Sequence, residues 1–301
     1  MALFQPLDSG AKQLKQLLAE PGLLQAPGCF DALSAKQLEA AGFTTAFLGG
    51  FSVAAARLGL PDVGLLSFSE MLDQTRSVCA ATALPIIADA DTGYGNAMNA
   101  QRSFIEYSRA GAACMMIEDQ LWPKQCGHTE GKQVVPRNEA VARVRACVRA
   151  REQLGIETLV MARTDAAAAV SFEEALWRAS AFAAEGADIT FLEAPRSIAE
   201  MRRYCTEVPG IKTANLVEDG RTPWLSPDAL EDLGYAIVLY PVTLLLSNLA
   251  AMRDAAAALK SAGHYEGPRA SFNEAQGAVD WPEYDAMLAA IDTNEPTHDQ
   301  E

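Results

Sequence analysis

The sequence has 301 residues, half of them hydrophobic, and a formal charge of −15 at neutral pH. That balance argues against a nucleic-acid partner, which needs clustered Lys and Arg, but it leaves room for an anionic substrate held by local cations and a metal. No apolar stretch has the length of a membrane span and no signal peptide is evident, so a cytoplasmic protein without a membrane partner is expected.

A helical arm is expected over residues 1–23. Gly28-Cys29-Phe30 is a short apolar run, and Asp31 starts a helical pattern through Ala40. Thr45 to Leu48 reads as a buried strand. Ser67 to Ala81 reads as a helix, because Ser67 and Glu70 have the spacing of a capping box. Strands are predicted at Leu84–Ala88, Cys114–Ile117, Thr158–Ala162, Ile189–Leu192, Ile211–Ala214 and Ala236–Tyr240. Helices are predicted between them at Ala97–Ala110, Asn138–Gln153, Phe172–Ala184 (with Ser171 at the cap), Ile198–Cys205 and Pro227–Leu233. Val242 to Ala262 is the last long helix. Residues 263–301 form a Pro- and acid-containing helical tail whose end, Thr293 to Glu301, is expected to fray.

The predicted strands are apolar throughout instead of alternating, so both faces are covered, as in a parallel sheet. Roughly eight βα units favour an α/β closed barrel of (αβ)8 TIM type over an open doubly wound sheet. An open sheet would show a Gly-rich fingerprint after its first strand, and Leu48-Gly49-Gly50-Phe51-Ser52 is not one. The expected unit is one barrel domain over 24–262, flanked by the arm and the tail.

In such a barrel the active site lies at the C-terminal ends of the strands. Polar clusters follow five predicted strands: Asp89-Ala90-Asp91-Thr92-Gly93-Tyr94-Gly95, Glu118-Asp119-Gln120, Arg163-Thr164-Asp165, Glu193, and Asn215. A lone Asp would be a cap or loop carboxylate. Clustering at several strand ends favours a metal instead. Asp89 and Asp91, alternating on one extended segment, make with Glu118 a hard oxygen cluster that suits Mg2+, with Mn2+ as the substitute.

The six cysteines are scattered without C-x-x-C pairs, which does not suit a disulfide framework. Five read as small buried hydrophobes. Cys126 differs, because Lys124, Gln125, Gly127 and His128 around it are not apolar, and nearby cations make a thiol useful for proton transfer or attack. A Cys-His protease is the competing reading, but it leaves the acidic cluster without a role. Arg163 offers either a structural ion pair or a planar fork for a substrate carboxylate, and the fork is preferred.

Together these segments, with Leu58-Gly59-Leu60-Pro61-Asp62, Lys124-Gln125-Cys126-Gly127-His128 and Glu193-Ala194, resemble the isocitrate lyase/phosphoenolpyruvate mutase superfamily from about Leu24 to Leu259. The resemblance is closest to its 2-methylisocitrate, 2,3-dimethylmalate and 2-alkylmalate lyase branch. It implies an (αβ)8 barrel with an extra C-terminal helical segment, assembled as a homotetramer with the last barrel helix exchanged. It also implies Asp91 as the direct metal ligand, with Asp62, Asp89 and Glu118 acting through water. Cys126 would be the catalytic acid, with Lys124, His128, Arg163 and Glu193 also catalytic. The substrate would meet Arg163, Asn215, Gly127, His128 and the backbone of Gly49, Gly50 and Phe51. Tyr94 is in reach of the metal loop, as a base or as packing.

Phosphonate mutases, phosphonate hydrolases and some oxaloacetate decarboxylases of the superfamily lack a thiol at the Cys126 position, whereas the carboxyvinyl-carboxyphosphonate mutase type resembles the lyases there, so the resemblance implies a carbon–carbon lyase first. Methylisocitrate lyases carry Ser where this chain has Gly49, and an Arg aligned with Leu246. Trp122, Pro123 and the stretch from Asn215 to Trp224 are more like the alkylmalate lyases. The implied substrate is therefore a small 2-hydroxy dicarboxylate split into a 2-oxo acid and a carboxylate. Oxaloacetate hydrolysis or decarboxylation, a carboxyvinyl-carboxyphosphonate phosphorylmutase-like activity, and a non-catalytic carboxylate-binding protein are the alternatives.

Overall fold

A computed structural model describes residues 10–127 and 131–292. The expected frayed tail from Thr293, the start of the expected helical arm and His128 lie outside the described residues. Strands β1 (Leu24–Cys29), β2 (Ala46–Leu48), β3 (Ile86–Asp89), β4 (Cys114–Glu118), β5 (Leu159–Thr164), β6 (Ile189–Leu192), β7 (Ile211–Asn215) and β8 (Ile237–Tyr240) pair in parallel in sequence order. β8 returns to β1, which closes the barrel expected from the βα period.

Helix α1 (Ala11–Ala19) precedes the barrel. The helices α2 (Ala32–Ala40), α3 (Gly50–Val53), α4 (Phe68–Ala81), α5 (Ala97–Arg109), α6 (Arg137–Leu154), α7 (Ala166–Ala169), α8 (Phe172–Ala184), α9 (Ile198–Glu207), α10 (Pro227–Leu233) and α11 (Thr243–Ala262) fill the connections and follow β8. α12 (Phe272–Ala278) and α13 (Trp281–Asp292) form the tail. The capping box read at the start of α4 is formed: Glu70 N–H donates to Ser67 Oγ and Ser67 N–H donates to the Glu70 carboxylate at 2.8 Å.

Two apolar layers hold the barrel. Phe47, Ile87, Met116, Met161, Phe191 and Leu239 fill its interior, and Ala11 and Leu14 of α1 join that cluster from the N-terminal end. Burying Leu14 there contributes about 1.5–3 kcal/mol, so α1 is a plug of the barrel floor. Met115, Ile117, Phe104 and Tyr107 belong to the layer between strands and helices. The floor is thereby sealed, and the polar strand ends gather at the opposite mouth.

The first strand starts at Leu24, four residues before the short apolar run Gly28-Cys29-Phe30. Gly28 is required by crowding: a Cβ there would lie 2.1 Å from the Pro241 carbonyl oxygen. The stretch after β2 was also not foreseen. It is a short helix, α3, running into a π-helical turn at Ala54–Leu58 that ends on Gly59 at φ 63°.

Candidate active site

Parallel register brings the strand ends together. Glu118 on β4 stands beside Arg163 on β5, and Asn215 on β7 beside Leu239 on β8. In the closed order β7 and β8 face β3 and β4 across the mouth. Between them lies a cavity of about 280 Å³. Its polar lining includes Asp62, Asp89, Glu118, Lys124, Cys126, Arg163, Glu193 and Asn215. Its apolar lining includes Phe47, Phe51, Phe191, Val217, Leu239, Val242 and Leu246.

Asp62, Asp89, Asp91 and Glu118 are all buried. Asp91 is not on an extended segment. It takes a left-handed φ of 48°, a region that Asp enters more readily than most residues. The turn lets the Asp91 N–H donate to Asp89 Oδ1 at 2.9 Å, while Gly50 N–H donates to Asp89 Oδ2 at 3.0 Å. Lys124 Nζ lies 2.6 Å from both Asp62 Oδ1 and Asp91 Oδ1. Burial pushes the Asp91 carboxyl up to about 6; Lys124 opposes this, and Asp89 and Asp62 add to it. Glu118 is held well above the usual carboxylate range, first by burial, with Arg163 the main opposition.

This donor set fits a hard divalent cation. All donors are carboxylate oxygens, negative charge is concentrated out of water, and Glu118 Oε1 has no hydrogen-bond partner among the described residues. Asp91 Oδ1 also lacks one of good geometry, despite its close approach to the Lys124 ammonium. Among the described residues no three acidic, His or Cys side chains converge into a ready cage. An arrangement with one direct carboxylate and the rest acting through water does not require such a cage.

Arg163 is tied on two sides. Its Nε and Nη2 donate to the two oxygens of Asp165 at 2.9 and 3.0 Å, and Nη2 lies 3.3 Å from Glu193 Oε2. Burial works against its charge, but Asp165, Glu193 and Glu118 outweigh it and hold the guanidinium well above its ordinary value. Asn215 Nδ2 reaches both Glu193 oxygens at 3.3 Å. The structural ion pair is therefore present, and the same side chain lines the cavity. Beneath it, Asp119 accepts from Thr164 Oγ1, the Asp165 N–H and Arg178, which fixes the turn after β5.

Cys126 is partly buried and lines the cavity. Gln120 holds the segment before it: its Nε2 donates to the Gln125 carbonyl at 2.8 Å, and its Oε1 accepts from Gln125 N–H at 3.0 Å. Gly127 follows at a point with no room for a side chain, since a Cβ would lie 2.3 Å from Arg163 Nη2 and 2.8 Å from Glu193 Cδ.

The sequence matches the phosphoenolpyruvate phosphomutase family over residues 14–260. It is 41% identical over 251 residues to 2,3-dimethylmalate lyase of Eubacterium barkeri, spanning 83% of this chain and 86% of that relative. The chain belongs to the isocitrate lyase/phosphoenolpyruvate mutase superfamily. Another superfamily relative, carboxyvinyl-carboxyphosphonate phosphorylmutase of Arabidopsis thaliana, is 40% identical over 288 residues, 92% of this chain and 84% of its own. Among solved structures, oxaloacetate acetylhydrolase with 3,3-difluorooxalacetate superposes at a TM-score of 0.90 and 31% identity, covering 97% and 99% of the two chains. The structure of 2,3-dimethylmalate lyase superposes at 0.89 and 33%, covering 98% of each. A phosphonopyruvate hydrolase solved with oxalate and Mg2+ matches at 0.81 and 26%, covering 95% and 99%.

Measured against the residues expected for this superfamily, the barrel brings Asp62, Asp89, Asp91, Glu118, Lys124, Cys126, Gly127, Arg163, Glu193 and Asn215 together, and Gly49, Gly50 and Phe51 line the same cavity. Lys124 reaches the acidic cluster, where its expected part was as a cation near the thiol. Tyr94 is engaged in packing: its ring lies 5.4 Å from that of Phe68 and 6.0 Å from that of Trp122, and its hydroxyl is 3.3 Å from that of Tyr107. Sequence reasoning gave no role to Lys132 or Asp165 and passed over the cavity residues Ser52 and Glu218. Asp165 carried a usable signal. It stands two residues after Arg163, the spacing at which side chains on an extended segment share a face.

Proposed function

We propose that this protein is a Mg2+-dependent carbon–carbon lyase that splits a 2-alkylmalate-type 2-hydroxy dicarboxylate into a 2-oxo acid and a short carboxylate. The observation that carries this reading is a thiol loop, a buried carboxylate cluster and an apolar wall sharing one cavity. The wall of Val217, Leu239, Val242 and Leu246 suits an alkyl substituent better than a third carboxylate. The names of the dimethylmalate lyase relative and structure support the same substrate class.

In this reading Arg163, held in orientation by Asp165 and Glu193, binds the 2-hydroxy-carboxylate end, and Asn215 assists. The substrate's other carboxylate is received by the amides at Gly49 and Phe51, since that of Gly50 already serves Asp89. Transfer of the hydroxyl proton to solvent leaves an alkoxide. As it becomes the carbonyl of the 2-oxo acid the adjacent C–C bond breaks, and its electron pair leaves with the departing carbon as an enolate-like carboxylate. That fragment takes its proton at carbon from the Cys126 thiol, the thiolate then regaining a proton from solvent. Asp91 would hold the metal directly, with Asp62, Asp89 and Glu118 acting through water. Bound there, the ion supplies charge stabilisation and orientation. The phosphonopyruvate hydrolase structure with oxalate and Mg2+ supports the choice of Mg2+ as the ion.

A substrate panel with Mg2+ tests this reading. 2,3-Dimethylmalate or another 2-alkylmalate is expected to turn over fastest. Methylisocitrate far ahead of every alkylmalate would reject it. Oxaloacetate hydrolysis is the second reading, favoured by the acetylhydrolase superposition, and it would show itself as oxalate plus acetate.

The assembly we propose is a homotetramer with α11 exchanged between neighbours. None of the residues of α11 is buried within one chain, and Leu246, Leu249, Met252 and Leu259 are exposed along it. The tail adds exposed Phe272, Trp281 and Ile291. A surface this apolar calls for a cover. Light scattering at micromolar concentration is expected to give a tetramer, and a monomer would contradict the proposal.

A further inference from the structure

We propose that Lys132 is a positioning residue for the thiol loop, through a buried ammonium that ties the Gly127 carbonyl to the Asp165 carboxylate. The inference rests on the lyase reading for its catalytic meaning. Its geometry stands on the loop itself.

Lys132 lies in the return of the β4–α6 connection, where a charged loop residue would ordinarily point to water. Its side chain is 1% exposed and that of Asp165 is fully buried. Lys132 Nζ donates to Asp165 Oδ1 at 2.7 Å and also to the Gly127 carbonyl oxygen. Burying an ammonium is costly, and a buried ion pair often gives less stability than an apolar pair of similar volume. A charge kept in so dry a place therefore points to a geometric task.

The task follows from what each end holds. Asp165 is also the carboxylate that grips the Arg163 fork, and burial notwithstanding, Arg163 and Lys132 hold its carboxyl below the ordinary range. One carboxylate thus sets both the substrate-facing guanidinium and, through Lys132, the carbonyl of Gly127, the residue after Cys126. On the other side, Gln120 fixes Gln125, the residue before Cys126, with two hydrogen bonds. The thiol is carried on a backbone pinned at both neighbours, with Gly127 pressed against Arg163 and Glu193. Removing Lys132 releases one of the two pins.

The test is Lys132→Met in the full-length assembled enzyme, with two readouts. The first is kcat and KM on the best substrate. Displacing a reacting group by an ångström costs about 10²-fold, so kcat is expected to fall on that order with KM nearly unchanged. The second is the iodoacetamide alkylation rate of Cys126 in the substrate-free enzyme, followed by peptide mass spectrometry with the partly buried Cys79 as internal reference. Alkylation of Cys126 relative to Cys79 is expected to rise. If Lys132→Met does not fold, Lys132→Gln, a shorter side chain that keeps a donor for Asp165, is read in the same two ways. A folded variant whose alkylation ratio matches that of the parent overturns the proposal, whatever happens to kcat. A raised ratio with kcat unchanged keeps the pin and removes Cys126 as the acid, so the two failures are distinguishable.

Discussion

Cys126→Ser is expected to lower kcat by about 10²–10⁴-fold on the best substrate, the range that general acid catalysis contributes. That loss corresponds to about 3–5 kcal/mol of transition-state stabilisation. Serine keeps the size of the side chain but raises its pKa far above that of a thiol, so proton delivery to the departing carbon slows. KM should change little, because the ground-state contacts to Arg163 and to the backbone at the end of β2 remain. The proposed role rests on the cavity position of Cys126, with Gly127 packed on Arg163 and Glu193. A thiol that merely packs would give the opposite pattern, a loss of stability with kcat nearly intact. Steady-state kinetics and a thermal melt of the same variant separate the two outcomes.

Asp91→Ala is expected to abolish turnover and to remove the thermal stabilisation conferred by Mg2+. A ligand that binds only the folded state stabilises it by about 2.7 kcal/mol at a hundredfold excess over Kd, a shift of several degrees in Tm. Asp91 also pairs with the buried Lys124 ammonium at 2.6 Å, so the Mg2+ response is read as the difference in Tm with and without the ion for each protein, which removes any change in metal-free stability. Asp62→Ala should weaken the Mg2+ response without erasing it. An Mg2+-dependent rise in Tm that survives in Asp91→Ala would remove Asp91 as the direct ligand.

The barrel and most of its mouth were legible in the sequence because parallel strands buried on both faces read as apolar runs, and polar residues then mark where each run meets the cavity. Asp89, Glu118, Arg163, Glu193 and Asn215 were found that way. What the sequence hid depends on backbone turns and on long side chains. The left-handed φ of Asp91 cannot be read from alternation, so its carboxylate converges with that of Asp89 by a route other than the extended one expected. Lys124 reads as a neighbour of Cys126 but spans to Asp62 and Asp91. Lys132 reads as a solvated loop charge and is almost fully buried. β1 begins at Leu24, ahead of the short apolar run at Gly28, since Gln25 and Pro27 interrupt its apolar pattern, and Gly28 lets the strand pass Pro241.

The most direct test of the lyase account is product analysis by NMR after turnover of 2,3-dimethylmalate with Mg2+ in D2O. Cleavage between the hydroxyl-bearing carbon and its methyl-bearing neighbour yields pyruvate and propionate, and the carbon released as an enolate must take up one solvent-derived hydrogen. The account predicts pyruvate and propionate in equal amounts, with one deuterium at the propionate carbon next to the carboxylate. Unchanged dimethylmalate beside oxaloacetate converted to oxalate and acetate would contradict it.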